Sequence, residues 1–113
     1  MRFYHYTCAH QVSEIRAAGL LRPWPQPILG HVALVWLTDL DVPDRAALGL
    51  TSKTLRCDRT AHRVTVETFH AQHWPEFARR LPNDQRRPLE FTPGALPMHW
   101  WVVLSPVRVV KVV

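Results

Sequence analysis

The hydrophobic pattern begins with a short aromatic stretch, Phe3-Tyr4-His5-Tyr6-Thr7. Such a run reads as a strand. Alternation places Phe3 and His5 on one face and Tyr4 and Tyr6 on the other. Cys8, Val12 and Ile15 then recur at helical spacing and form one apolar stripe. Thr7 is expected to cap that helix through its hydroxyl, and Gly19 to end it in the left-handed conformation. The ends of this strand and helix leave His5 and Thr7 beside exposed amides, where anions and polar ligands are commonly held.

Leu20-Leu21 extends briefly after the helix. Pro23, Pro25 and Pro27 make the stretch from Arg22 to His31 a stiff loop, with Trp24 expected to anchor it on the core. Val32 to Leu37 is almost continuously apolar, which predicts a central strand covered on both faces. Pro43 to Gly49 predicts a short helix, and Leu50 to Thr60 a polar loop. His62 to Thr68 alternates like a half-exposed strand, with Val64, Val66 and Thr68 on one side. His73 to Leu81 reads as a short helix burying Trp74, Phe77 and Leu81. Pro82 to Pro97 is rich in proline and reads as irregular. Trp100 to Leu104 and Val107 to Val113 predict two strands, joined as a hairpin across Ser105-Pro106. Strands and helices do not alternate regularly. The fold class is therefore α+β, with bent, mostly antiparallel sheets, one main helix and two short ones.

Length and composition fit this picture. The chain has 113 residues and is 47% hydrophobic, enough for one folded domain over residues 1–113. No apolar run approaches the roughly 18 residues of a membrane span, and no signal-peptide segment is evident, so a cytoplasmic protein without membrane contact is expected. The formal net charge is +5, with seven histidines in addition. That balance favours an anionic partner such as DNA, RNA or a nucleotide. Arg56, Arg59 and Arg63 flank the polar loop; Arg79, Arg80, Arg86 and Arg87 surround the later short helix. Guanidinium groups pair well with phosphates, and nearby aromatics such as Trp74 suit a single strand. Cys8-x-His10 and Cys57-x4-His62 offer thiolates and imidazoles, but the spacing fits poorly with zinc sites, and no metal is expected. Nothing in the pattern specifies an oligomeric state.

One further constellation joins the two strands with the clearest signals. If they are neighbours, His5, Tyr6 and Thr7 meet Trp36 and Thr38 in one cleft. An imidazole, hydroxyls and aromatic faces suit a nucleotide.

The sequence "YHYT", an amphipathic helix ending in "AGLL", then Gly30 and the strand "LVWLT" resemble the ADP-ribosyltransferase superfamily. The likeness is to its small bacterial and phage members, including DNA-modifying DarT-like toxins; the RNA 2′-phosphotransferases are cousins. It covers Arg2 to Thr38 and the last two strands. It implies an ADP-ribosyltransferase-like fold, with NAD as substrate and nucleic acid as acceptor. His5 would contact an NAD ribose, and Tyr6 or Thr7 the nicotinamide end. Trp36 and Thr38 would lie beside the nicotinamide. The superfamily places a catalytic glutamate on a late strand, and here both late strands lack any acid. Glu90 and Glu67 are the remaining candidates, with Glu90 ahead for its proximity to the last strands. The same absence supports an alternative: a non-enzymatic nucleic-acid-binding or inhibitor module on a degenerate form of this fold.

Overall fold

Residues 1–50 and 58–113 are described in a computed structural model of the chain. The opening strand, β1 (Arg2–Thr7), leads into helix α1 (Ala9–Ala18). Val12 and Cys8 are buried and Ile15 packs against the core, so the apolar stripe is the inward face. Gly19 ends the helix at φ 67°, its N–H donating to the Ile15 carbonyl. The start differs from expectation. Cys8, not Thr7, holds the N-cap position, and no side chain caps the first turn. Thr7 is still in the strand and is buried.

Two short strands follow, β2 (Leu20–Leu21) and β3 (Trp24–Gln26), and then the long β4 (Val32–Thr38). A single 3-10 turn, Pro27–Leu29, lies between β3 and β4. Gly30 and His31 then reverse the chain, both at positive φ. Next come β5 (His62–Glu67), β6 (Gln72–His73) and α2 (Trp74–Phe77), which continues as a 3-10 turn to Arg80. Helix α3 (Asn83–Glu90), β7 (Trp100–Val103) and β8 (Val107–Val112) complete the order.

The strands run β2-β8-β5-β1-β4-β7-β6, with β3 beside β4, and every pairing is antiparallel. The molecule is α+β, as the pattern implied. Strand β4 is central, flanked by β1, β3 and β7. Its alternation divides the interior in two. Val35 and Leu37 join Phe3, Val64, Val66 and Val103 in one core. Leu34 and Trp36 face a second core around Trp74, Trp100 and Phe77.

Several expectations need correction. Strands β7 and β8 do not form a hairpin: β7 pairs with β4 and β6, whereas β8 pairs with β5 and β2. Pro43 to Gly49 forms turns rather than a helix. There the Asp44 carboxylate accepts from the Ala47 amide at 3.1 Å, a local bond that competes with helix propagation. Conversely, part of Pro82–Pro97 is the helix α3. Pro88 lies inside this helix and, lacking an N–H, forgoes the bond to the carbonyl four residues back. Trp24 is not a core anchor; it is 74% exposed. Trp74 is fully buried, which removes it from any single-strand surface. Residues 51–57, with Arg56 and Cys57, lie outside the described residues.

Trp74 fills the second core against Trp36, at a ring-centroid distance of 4.9 Å, and Phe77, at 5.9 Å. Its indole Nε1 is buried and meets no acceptor among the described residues. Replacing it with alanine leaves a cavity and should lower unfolding stability by about 3–5 kcal/mol. Trp74→Phe should lose clearly less, because it also removes an unsatisfied donor. Urea midpoints of the two variants check this; equal losses would show that the packing argument is wrong.

Candidate functional site

The ladder between β1 and β4 is a single paired position, Tyr4↔Thr38. On the other side β1 pairs with β5 along its whole length, from Arg2↔Glu67 to Thr7↔His62. Strand β1 therefore stays with β5 while β4 diverges from it. A cleft of about 940 Å³ opens at this divergence. Its walls come from the end of β1, one face of α1, the β2–β3 segment and the inner part of β4. That volume lies within the range of small-molecule sites.

His5 spans the gap. Its Nδ1 lies 2.7 Å from the Trp36 carbonyl oxygen. A carbonyl only accepts, so Nδ1 carries the proton in this bond. Burial of the ring is the largest influence on His5 and pushes its pKa below the ordinary 6.5. The bond to Trp36 acts in the opposite sense, and the Arg59 charge lowers it further. The neutral ring thus has a protonated Nδ1 and an unprotonated Nε2. Nε2 has no partner among the described residues, and His5 lines the cleft. It is an acceptor suited to a sugar hydroxyl.

Arg59 lines the same cleft. Its Nε is buried without an acceptor, and no carboxylate pairs with it among the described residues. A neighbouring turn fixes its position. Asp58 accepts from the Thr60 amide at 2.8 Å and the Thr60 hydroxyl at 2.6 Å, and pairs with Arg45 at 2.8 Å. The Thr60 hydroxyl bond, then Arg45, hold the Asp58 pKa down at about 2. The Asp58 charge is therefore directed to Thr60 and Arg45, leaving Arg59 unneutralised. A half-buried cation without a carboxylate partner among the described residues, in the same cleft as an imidazole acceptor, is a place for an anion bearing a hydroxyl.

The remaining expected residues divide. Tyr6, Thr7, Trp36 and Thr38 all line the cleft. Two of their hydroxyls are already engaged. Tyr6 donates to the Leu40 carbonyl at 3.0 Å, and Thr38 donates to the His99 carbonyl at 2.7 Å while accepting from the Leu40 amide. These two shape the wall. Trp36 is half-buried, with one side of its ring against Trp74 and its edge toward Trp100.

Glu90 is at the end of α3, 3.9 Å from the Arg86 Nε, and is not among the cleft residues. Glu67 pairs with Arg2 at 3.2 Å near the far end of β1. Glu14 is the one carboxylate among the described residues that line the cleft. It stands on the face of α1 shared with His10, Gln11 and Ala18. Sequence reasoning passed over it, although the spacing of four from His10 to Glu14 and to Ala18 marks one helical face.

The basic residues are dispersed. Arg79, Arg80 and Arg87 are exposed. Arg86 is held by Asn83, which accepts from its Nε at 3.0 Å. Arg63 lies in β5, within the strand expected from His62 to Thr68; it donates to the Asp41 carbonyl at 2.8 Å and stacks over Tyr4. It is a structural arginine in this arrangement. Among the described residues no group of three His, Cys, Asp or Glu is placed to hold a metal, and no helix is long and apolar enough to cross a membrane. No protein-family model, curated protein or solved structure matches the chain.

The low folded-state pKa of His5 has a consequence for stability. The unfolded chain binds the proton more readily, so stability rises with pH across this window. The contribution is full above pH 6.5, declines as pH falls below it, and is lost below the folded pKa. Unfolding midpoints measured between about pH 7.5 and about pH 5 should therefore fall, and His5→Ala should flatten that decline. The variant should also be about 1–3 kcal/mol less stable at the upper end, because the Trp36 carbonyl loses its partner. An unaltered pH slope in His5→Ala would remove this histidine as the source.

Proposed function

We propose that the cleft binds NAD and that the protein transfers ADP-ribose from it, with nucleic acid as the class of acceptor. The observation that carries this reading is the pairing of His5 and unneutralised Arg59 in one cleft. The acceptor Nε2 of His5 takes a ribose hydroxyl, and Arg59 takes a pyrophosphate oxygen. The half-buried face of Trp36 supplies an apolar wall for the nicotinamide ring. The resemblance of "YHYT" and "LVWLT" to the superfamily's strands supports the same placement.

In the reaction, the bond from the ribose anomeric carbon to nicotinamide breaks, and its electron pair leaves with nicotinamide. A lone pair of the acceptor forms the new bond, and the acceptor proton passes to a base or to water. A carboxylate near the ribose stabilises the positive charge that builds up on it. Glu14 is the carboxylate the cleft offers for this, in preference to Glu90. Melting scans with NAD at about a millimolar should show a higher melting temperature. Arg59→Ala should abolish the shift. Incubation with labelled NAD and mixed DNA and RNA should transfer label, and Glu14→Gln should slow transfer by roughly 100-fold. Equal rates for wild type and Glu14→Gln, with a slower Glu90→Gln, return the role to Glu90.

The absence of acids from β7 and β8 favours a second reading, a binding module without transferase activity. NAD-independent binding to DNA or RNA with no label transfer would select it. In either case exposed Arg79, Arg80 and Arg87 are the candidates for phosphate contact. Affinity for a single strand should fall with salt, at a log–log slope of about −0.7 per contact. Charge reversal of Arg79 and Arg80 should flatten the slope by about one unit or more. Affinity indifferent to salt would sink this surface.

A further inference from the structure

Four of the five tryptophans are buried or half-buried. Trp24 is 74% exposed and still lines the cleft. Among the described residues its ring meets no aromatic or cationic partner. The backbone beneath it is held firmly. Pro23 precedes it, Pro25 follows it, and each has a fixed φ. The strand β3 pairs with β4 at Trp24↔Leu34, and the Gln26 side chain donates to the Trp24 carbonyl at 2.8 Å.

The register also sets direction. Residues directly opposite in an antiparallel pair share a face. Trp24 is therefore on the face of β4 that carries Leu34 and, two residues on, Trp36. That is the side of the second core, whose Leu34, Trp36 and Trp100 also line the cleft. Arg22, on the same segment, and Arg59 also line the cleft and bring positive charge to it. A large exposed indole on a stiff support, in a cleft that also carries Arg22 and Arg59, has the chemistry of a base-stacking platform. Little conformational freedom remains to be lost on binding.

We infer that Trp24 stacks a planar nucleobase whose phosphate is held by the cleft arginines. The base can belong to the adenosine half of a dinucleotide or to a nucleic-acid strand; stacking on a tryptophan face is common to both. This extends the reading of the cleft as an NAD site but does not depend on it, since a nucleic-acid base satisfies the same platform.

The test is titration of intrinsic tryptophan fluorescence with AMP, ribose 5-phosphate, NAD and a short oligodeoxyadenylate. AMP should quench saturably and ribose 5-phosphate should not. Trp24→Ala should abolish this quenching and weaken binding of the base-bearing ligand by about 5- to 100-fold. Trp24→Phe, which keeps an aromatic face, should stay within a few-fold of wild type. The melting temperature of unliganded Trp24→Ala should match wild type, because the ring is exposed. If NAD binds wild type and Trp24→Ala with equal affinity, and the oligonucleotide does the same, the platform is refuted while the NAD reading stands. If the oligonucleotide alone binds, and loses affinity in Trp24→Ala, the platform stands and the NAD reading fails. Binding of none of the base-bearing ligands refutes both.

Discussion

Everything about the cleft follows from one backbone problem. Strands β1 and β4 are neighbours, yet they pair at a single position, Tyr4↔Thr38. Where strands part, carbonyls and amides lose their ladder partners, and a buried unpaired group is costly. The Trp36 carbonyl lies beyond the single β1–β4 pairing. The His5 ring donates to it at 2.7 Å. The same bond closes the backbone account and fixes the ring tautomer. Structure and chemistry are thus served by one proton on Nδ1.

The split also explains why the interior has two cores. Strand β4 sends Val35 and Leu37 one way and Leu34 and Trp36 the other. The second side is filled by aromatic rings, with Trp36, Trp74 and Trp100 in mutual contact. Large rings cover much area with few rotatable bonds, so they hold the cleft floor rigid. The Trp100 indole adds a bond to the Ala47 carbonyl at 2.8 Å, tying the turn at Ala47 to this floor. Electrostatics follow the same economy: Asp58 is held by Thr60 and Arg45, and Arg59 next to it has no carboxylate partner among the described residues.

How much of this was legible depended on how local the determining forces are. The strand β1, the stripe of α1, the stop at Gly19 and the buried β4 each announce themselves by periodicity or by one residue with a special backbone. Strand partners do not. Val-rich β7 and β8 look like a hairpin by proximity, but pairing is decided by which faces need burial across the whole sheet. Helix α3 was hidden by Pro88 and by its polar composition. Trp24 was misjudged because tryptophan is usually buried; its prolines signalled stiffness but not direction, which comes from the register with Leu34. The residues of β1 and β4 that line the cleft were readable as motifs. Glu14 was not, because nothing in the sequence says that the outer face of α1 turns toward β4.

The wide separation of paired strands bears on how the molecule forms. Among the described residues, only β3 and β4 pair across a short connection, with Gln26 opposite Val32. Every other pairing closes a loop of roughly 30 residues or more, such as Leu20 with Arg108 or Thr38 with Trp100. Chain entropy must be surrendered before those contacts are made, which slows folding in topologies of this kind. The β3–β4 reversal closes the shortest loop among these pairings and costs the least chain entropy to form. Helper factors that shield unpaired strands would matter most in the interval before β8 inserts between β2 and β5.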